Sequence, residues 1–467
     1  MDSGGMKEAE RRLELGTEYE GSGLGDVRRQ NRLTVLARAL EANPAASLPK
    51  AMKTDAALEA AYRFLRNDAV SMDGILAGHY AETAARAASE RLVLAVHDTT
   101  EFQFSGEGTR DGLGPLRGSG QGFFGHFTLL VAPDELRRPL GVIAVQTRVR
   151  TKLRGKGPKS HEPKGEAARW KKGVMLAEER LDDRVPVVHV MDREGDSYEL
   201  LDELIASGQR FVIRMGRKRM LSDGVELSEA LASAKTVVER EVQLSRRRQD
   251  KIAFNRKRHP ARAGRQARLA LSAQLLEIRR PAHCNETRPE TLAIHFVHVR
   301  EVETHGDEPP VDWMLATTEP IGVAEDIERV VDFYRARWVI EEYFKSLKSG
   351  CAYEKRQLES DHTLLNLLAI LVPIAWRLLL LRSLARDWAD APASEALSPT
   401  QLQVLVAVSH KKLSPSPTVR EALLAVAALG GHIKNNGEPG WAVLGRGFEE
   451  LPTLERGWIA AKRSDQS

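Results

Sequence analysis

The chain has 467 residues, of which 42% are hydrophobic and 29% charged, which excludes a disordered scaffold and exceeds one ordinary core, so two or three domains are expected. Lys plus Arg (69) barely outnumber Asp plus Glu (65), so the net charge of +4 does not by itself define a partner, and local clusters must decide. The two cysteines, Cys284 and Cys351, lie far apart without C-x2-C spacing, and neither a disulfide framework nor a zinc site is implied.

Residues 1 to about 20 read as a polar leader with charges of both signs and no apolar stretch of signal-peptide length. Asp26 is then a suitable N-cap for a helix whose apolar stripe is Leu33, Leu36, Ala37 and Leu40, and whose other side carries Arg28, Arg29, Arg32 and Arg38. The preceding GSGLG run follows no strand, so a dinucleotide loop is a poor reading. A second helix is expected over Asp55–Asn67, with Arg63 and Arg66, and a third after Ser71. An arginine-bearing helical module of this kind suits phosphate contacts, although many such modules bind nothing.

From Arg91 the texture changes to short β runs. Arg91–His97, Phe123–Ala132 and Gly141–Arg148 are expected as consecutive strands, followed by a helix at Gly165–Arg180, a strand at Val185–Met191, a helix at Tyr198–Ser207 and a strand at Arg210–Met215. Three strands followed by alternating helix and strand match a ribonuclease-H-like α/β fold, a mixed sheet flanked by helices. Between Met215 and Pro320 lies a strand-like insertion, with β composition at Val237–Leu244, Ala267–Ala273 and Thr291–Val299. Its Arg246–Arg268 stretch holds ten Lys or Arg against one acid, Asp250, and reads as a flexible loop that takes its partner from phosphates or, failing that, as a solvated hairpin tip.

Tyr334 to Lys348, YRARWVIEEYFKSLK, reads as one amphipathic helix that brings Tyr334, Arg337, Glu341 and Lys348 to a common face. Leu364–Leu381 has the length of a membrane span, but Asn366, Pro373 and Arg377 interrupt it, so it is expected as a buried core helix. Beyond a loop around Pro392 and Pro399 the chain is mostly helical, with a helix at Val419–Leu429 ending on Gly430-Gly431. The domain reading is therefore 1–85 helical, 86–385 α/β with the insertion at about 216–320, and 386–467 helical.

Two of the β runs end on an aspartate, RLVLAVHDT on Asp98 and VPVVHVMDR on Asp192, and each is expected at a strand tip. A single such aspartate is usually a turn residue or a cap. Together with Glu341 they make three acids in the order Asp, Asp, Glu, and like charges brought together gain nothing unless a cation neutralises them. His97 falls on the opposite side of its strand and is expected to be structural, while Glu194 is expected to orient a turn rather than to be a ligand.

Tyr334, Arg337, Glu341 and Lys348 form a Y-x2-R-x3-E-x6-K pattern. With Asp98-Thr99-Thr100, Asp192-Arg193-Glu194 and Trp313 in DWMLATTEP, the chain resembles the bacterial cut-and-paste transposases of the DDE class. GLGDVRRQNRL, AYRFLRN and LGGHIKNNG extend the likeness to both ends, and the basic insertion matches only in general character. The resemblance implies that Asp98, Asp192 and Glu341 hold two Mg2+ ions, with Mn2+ able to substitute, and that Tyr334, Arg337 and Lys348 grip phosphates near the element's end. It further implies that Arg214 lies close to DNA and that Trp313 stacks a displaced base. Expected partners are double-stranded DNA, as element ends and as target, and a second copy of the chain joined through the C-terminal region, in a nucleoid-associated cytoplasmic setting without a membrane. The resemblance also implies a hairpin intermediate made and opened at one active site. Tyr198 stands where close relatives carry histidine. The alternatives are a nuclease on the same fold that cuts without joining, and a DNA-binding regulator that has lost turnover.

Overall fold

The computed structural model describes residues 15–464 except 106–107, 118–119, 136, 151–167, 245–260, 262, 304–309, 388, 396, 410–412 and 434–438. Helix α1 (Val27–Ala42) starts on Asp26, whose carboxylate accepts the Arg28 amide at 2.7 Å, and it buries the expected stripe of Leu33, Leu36, Ala37 and Leu40. A short α2 (Leu48–Met52), not foreseen, precedes α3 (Asp55–Arg66) and α4 (Met72–Ala87), the last two capped by the Thr54 and Ser71 hydroxyls.

A 3-10 turn at Leu15–Tyr19 ties this module to the rest through buried Glu18. Glu18 Oε1 accepts from Arg86 Nη1 at 2.6 Å and Oε2 pairs with His79 Nδ1, while His79 Nε2 accepts the Val142 amide at 3.1 Å. Burial pushes the Glu18 carboxyl up, but Arg86 and His79 more than offset it and hold the group at about 2, below the ordinary 4.5. A carboxyl depressed in the folded state stabilises the fold above its unfolded pKa, and that stability is lost as pH falls towards the folded value. Glu18→Gln is therefore expected to lose roughly 3 kcal/mol at neutral pH and to converge with the wild type as the pH drops through that window. Urea melts over the same range provide the check, and identical midpoints at neutral pH would refute it.

The sheet begins with β1 (Val93–Phe104), followed by β2 (Gly114–Pro115), β3 (Gln121–Val131), β4 (Pro139–Arg148), β5 (Val187–Met191) and β6 (Phe211–Arg214). Helix α5 (Ala168–Leu181) lies between β4 and β5, and α6 (Tyr198–Ala206) between β5 and β6. Neighbouring strands run in the order β4-β3-β1-β5-β6, antiparallel among the first three and parallel from β1 to β6, which is the ribonuclease-H-like sheet. Strand β1 is seven residues longer than its expected end at His97, because Thr99 and Thr100 suit a strand and because Phe102 and Phe104 are buried while Gln103 between them is exposed. Asp98 is thus inside a strand and not at its tip.

The insertion supplies α7 (Leu227–Ala232), β7 (Val238–Leu244), β8 (Arg265–Arg279), β9 (Thr291–Glu301) and β10 (Asp312–Thr317). Its strands do not form a sheet of their own. β10 pairs antiparallel with β6, and β9, β8 and β7 follow, so the central sheet continues through the insertion to ten strands. Most of the basic run lies outside the described residues. Two of its members that are described are already paired: Arg265 with buried Glu301, and Arg268 with Glu239 and Glu303 at 3.7 and 3.5 Å. The expectation that the run lacks acidic neighbours is therefore corrected for these two, because the antiparallel ladder brings acids from β7 and β9 beside β8.

The 334–348 segment is not one regular helix. Helix α8 (Ala324–Ala336) begins ten residues earlier, α9 (Trp338–Lys345) follows after a turn at Arg337, and Ser346–Gly350 widens into a π turn. The turn at Arg337 is tightened, with its amide on Tyr334 O at 3.1 Å and its carbonyl taken by Ile340 N at 3.2 Å.

Helix α10 (Asp361–Asp387) is long and apolar enough to cross a bilayer, but here it fills the core, with Leu367, Leu368, Ile370 and Leu371 fully buried. Its polar interruptions have partners: Asn366 Nδ2 donates to Leu65 O and Val70 O at 3.0 and 3.1 Å, and Arg377 pairs with Glu41 at 2.5 Å. Helices α11 (Pro399–Val408), α12 (Val419–Leu429) and α13 (Trp441–Ser464) close the chain around a second apolar cluster that includes Leu405, Val426 and Leu444. Gly431, just past α12, has φ +86°, the left-handed value that glycine reaches without strain.

Candidate active site

The parallel β1–β5 ladder runs from Val93 opposite Val187 to His97 opposite Met191. The next residue on each side is an aspartate, Asp98 and Asp192, and in-register neighbours on parallel strands project from the same face. Beyond this point β5 has ended and β1 is paired with β3 alone, so the two acids sit side by side where the sheet opens. Each carboxylate also accepts a nearby amide, Asp98 Oδ1 from Thr99 at 2.7 Å and Asp192 Oδ1 from Glu194 at 2.8 Å. His97 turns to the other face, fully buried, with Nε2 2.9 Å from His189 Nδ1 and Nδ1 3.0 Å from Thr128 Oγ1, as a structural residue would.

Helix α9 brings in Glu341, and the tight turn at Arg337 sets a guanidinium between the elements. Arg337 Nη1 lies 3.1 Å from Asp98 Oδ2, and its Nη2 lies 2.5 Å from Glu341 Oε1. Burial pushes the Asp98 carboxyl up to about 7, and Asp192 adds to the rise while Arg337 opposes it. Asp192 is likewise raised, first by burial and then by Glu194. Burial works against the Arg337 charge, yet Tyr334, Asp98 and Glu341 hold the guanidinium above its ordinary range. One arginine thus neutralises a cluster of acids that repel one another.

Tyr334 is buried on α8, and its ring meets the half-buried Trp313 ring edge-on, with centroids 5.2 Å apart and planes at 68°. Burial raises the Tyr334 phenol, and Arg337 and Arg214 pull the other way. Arg214 ends β6 opposite Leu315 and donates to Asp312 O at 3.3 Å. Lys348 falls in the π turn, where the wider winding changes the phase expected of a regular helix. Its Nζ reaches Glu101 O at 2.5 Å and Glu354 at 3.5 Å rather than Glu341. In α1, Arg28 is exposed and Arg32 half-buried, whereas the Arg29 guanidinium is engaged with the Leu24 and Ala69 carbonyls.

Sequence reasoning missed a second ring of residues. Arg169 on α5 donates through Nε to Thr99 Oγ1 at 2.8 Å and pairs through Nη2 with Glu194 at 3.1 Å, while Arg117 joins Glu101 and Glu194 at 3.2 and 3.1 Å. These pairs tie β1 to the turn after β5 and so fix the two aspartates relative to each other. The only signal was that Thr99 and Glu194 flank the acids; nothing in the sequence places Arg169 beside them.

Among the described residues, the side chains whose donor atoms all lie within 4.8 Å of one another in a metal-compatible trio are Glu199, His283 and Cys284 rather than the three acids. There the Cys284 thiol donates to Glu199 Oε1 at 3.1 Å, and burial, then Glu199, pushes the thiol up to about 11.

The ribonuclease-H-like sheet sets two aspartates at adjacent strand positions, and Arg337 links the first of them to the helix glutamate Glu341. Residues 15–70 match the transposase DNA-binding family and residues 165–376 the transposase DDE domain, a span that contains Asp192 and Glu341 and begins after Asp98. The chain belongs to the DDE transposases. Among solved structures it is similar to a piggyBac transposase synaptic complex with hairpin DNA, determined by cryo-electron microscopy, at 11% identity and a TM-score of 0.31. That alignment covers 64% of this chain, which spans about half, 48%, of that protein's length.

Proposed function

We propose that this protein binds the ends of an insertion sequence, cleaves them by metal-dependent phosphoryl transfer through a hairpin intermediate, and joins them to target DNA as a homodimer held by residues 386–467. The observation that carries the reading is the gathering of Asp98, Asp192 and Glu341 about Arg337 in a chain that also has a transposase DNA-binding segment. The donor set fits the metal. Hard carboxylate oxygens suit Mg2+, and carboxyls pushed up by burial and mutual repulsion are groups that a divalent cation would return to the charged form. Asp98, Asp192 and Glu341 would hold two such ions, which supply Lewis-acid polarisation of a phosphoryl oxygen when bound. The protein's own part is positional: the β1–β5 register and the Arg169–Glu194 pair hold the aspartates, Arg337 orients Asp98 and Glu341, and Tyr334, Lys348 and Arg214 face phosphates.

A strand-transfer assay with the DNA that flanks the gene tests the reading. Joined products support it, cleavage without joining supports a nuclease instead, and binding without cleavage supports a regulator.

DNA affinity is expected to fall steeply with salt, and Arg28→Ala and Arg32→Ala are each expected to reduce the slope of log affinity against log salt by about one. Arg29→Ala is expected to act mainly on stability, because its guanidinium serves two backbone carbonyls. Binding measured at several salt concentrations provides the check, and a salt-independent affinity would count against phosphate contacts.

A further inference from the structure

The loop between β8 and β9 carries a second group of metal-ligating side chains, on elements other than those that hold the three acids. The loop is ordered by its own hydrogen bonds. Cys284 N donates to Pro281 O at 3.0 Å, Arg288 N to Asn285 O at 3.1 Å, and Asn285 Oδ1 accepts the Thr287 amide at 3.0 Å. Arg280 Nη1 spans the loop and donates to Glu286 O at 2.7 Å. Two residues then fasten it to α6: Arg288 pairs with Asp202 at 2.7 Å and Glu203 at 2.8 Å, and the Tyr198 hydroxyl donates to Pro289 O at 2.9 Å.

This docking sets buried Cys284 and exposed His283 against Glu199 in the first turn of α6. The Cys284 thiol donates to Glu199 Oε1 at 3.1 Å, and one ligand atom from each of the three residues lies within 4.8 Å of the other two. Ligand atoms around a tetrahedral Zn2+ are roughly 3.3–3.7 Å apart, given bonds of about 2.0–2.3 Å. Sulfur and carboxylate oxygen already stand near that spacing, and the imidazole, on the solvent side, closes the remainder by side-chain rotation. The neighbouring cations are engaged with other acids, Arg288 with Asp202 and Glu203 and Arg219 with buried Asp196, and among the described residues neither forms a salt bridge with Glu199.

We infer that Glu199, His283 and Cys284 bind a borderline divalent transition-metal ion, Zn2+ foremost, with the fourth position open on the His283 side. A thiolate and an imidazole select this class over Mg2+, which takes oxygen ligands. On binding, the thiol proton leaves to solvent and the ion takes its place between Sγ and Oε1. The ion would clamp the β8–β9 loop of the insertion to α6, the helix that follows Asp192. Cysteine spacing gives no sign of it, because the third ligand comes from another element, 85 residues from Cys284.

The test uses the untagged full chain, stripped with a chelator and dialysed against limiting Zn2+ with excess Mg2+ to occupy the three acids. Atomic absorption is expected to find a single zinc per chain. His283→Ala and Cys284→Ser are each expected to weaken zinc binding about a hundredfold, since even groups behind a ligand are worth about ten- to a hundredfold, whereas Asp98→Ala retains the ion. With Co2+ in place of Zn2+, the sulfur-to-metal charge-transfer absorption should be present in the wild type and in Asp98→Ala and absent in Cys284→Ser. If Cys284→Ser does not fold, His283→Ala decides, because its side chain is exposed. No zinc retained by the wild type, unchanged affinity in His283→Ala, or a Co2+ spectrum without the sulfur band would overturn the site. Zinc lost in Asp98→Ala and kept in His283→Ala would overturn it as well, by placing the ion on the three acids. None of these readouts depends on activity toward DNA, so the site stands or falls separately from the proposed function.

Discussion

Replacing Asp98, Asp192 or Glu341 with alanine is expected to lower DNA cleavage by about a thousandfold or more while leaving binding of the same DNA within a few-fold. The magnitude follows from the chemistry: metal-held charge stabilisation is worth several kcal/mol in the transition state, and each ~1.4 kcal/mol is a factor of ten. The selectivity follows from the structure, because the acids sit on β1, after β5 and on α9, whereas the exposed arginines of α1, Arg28 and Arg38, belong to another part of the chain. Single-turnover cleavage and gel-shift binding of the same DNA separate the two quantities. Chelation of divalent cations should reproduce the cleavage loss in the wild type and add nothing to the loss in the variants. An alanine variant that cleaves at the wild-type rate would remove that residue from the site.

Trp313→Ala is expected to permit the first nick and to slow hairpin formation by roughly tenfold to a hundredfold, the loss of one base–aromatic stack. Bending a strand back on itself within a few nucleotides requires a base to leave the stack. The Trp313 ring is half-buried and packed edge-on against Tyr334, so one face of the chain at β10 carries two aromatic rings next to Arg214 and Arg337. A substrate lacking the displaced base should partly restore the hairpin step in the variant, since no stacking partner is then missed. Time courses that resolve nick from hairpin provide the measurement. Equal hairpin rates in variant and wild type would return Trp313 to a packing role.

The two aspartates were legible in the sequence because each follows an apolar β run, and in a parallel sheet such runs align. What their positions meant was less legible. Asp98 was expected at a strand tip, yet β1 continues through Thr99, Thr100, Phe102 and Phe104, and the opening beside Asp98 is made by the end of β5, a property of the neighbouring strand. A local pattern reports where a strand can exist, whereas the strand that stops first is decided by pairing.

The 334–348 segment shows the same division. Its periodicity foretold a helix, but neither the tightened turn that directs Arg337 to both Asp98 and Glu341 nor the π turn that carries Lys348 to Glu101 has a signature at the level of apolar spacing. The insertion was readable as strands. That β10 would pair with β6, continue the central sheet and give Arg265 and Arg268 acidic partners depends on contacts between residues distant in sequence. The sequence alone determined the helical start, the order of strands and helices in the core, the three acids and the buried character of α10, because these follow from composition and period. Tertiary structure decided which acid is neutralised by which arginine, and the Arg169 and Arg117 pairs that tie β1 to the turn after β5, because each depends on elements that meet only in the folded chain.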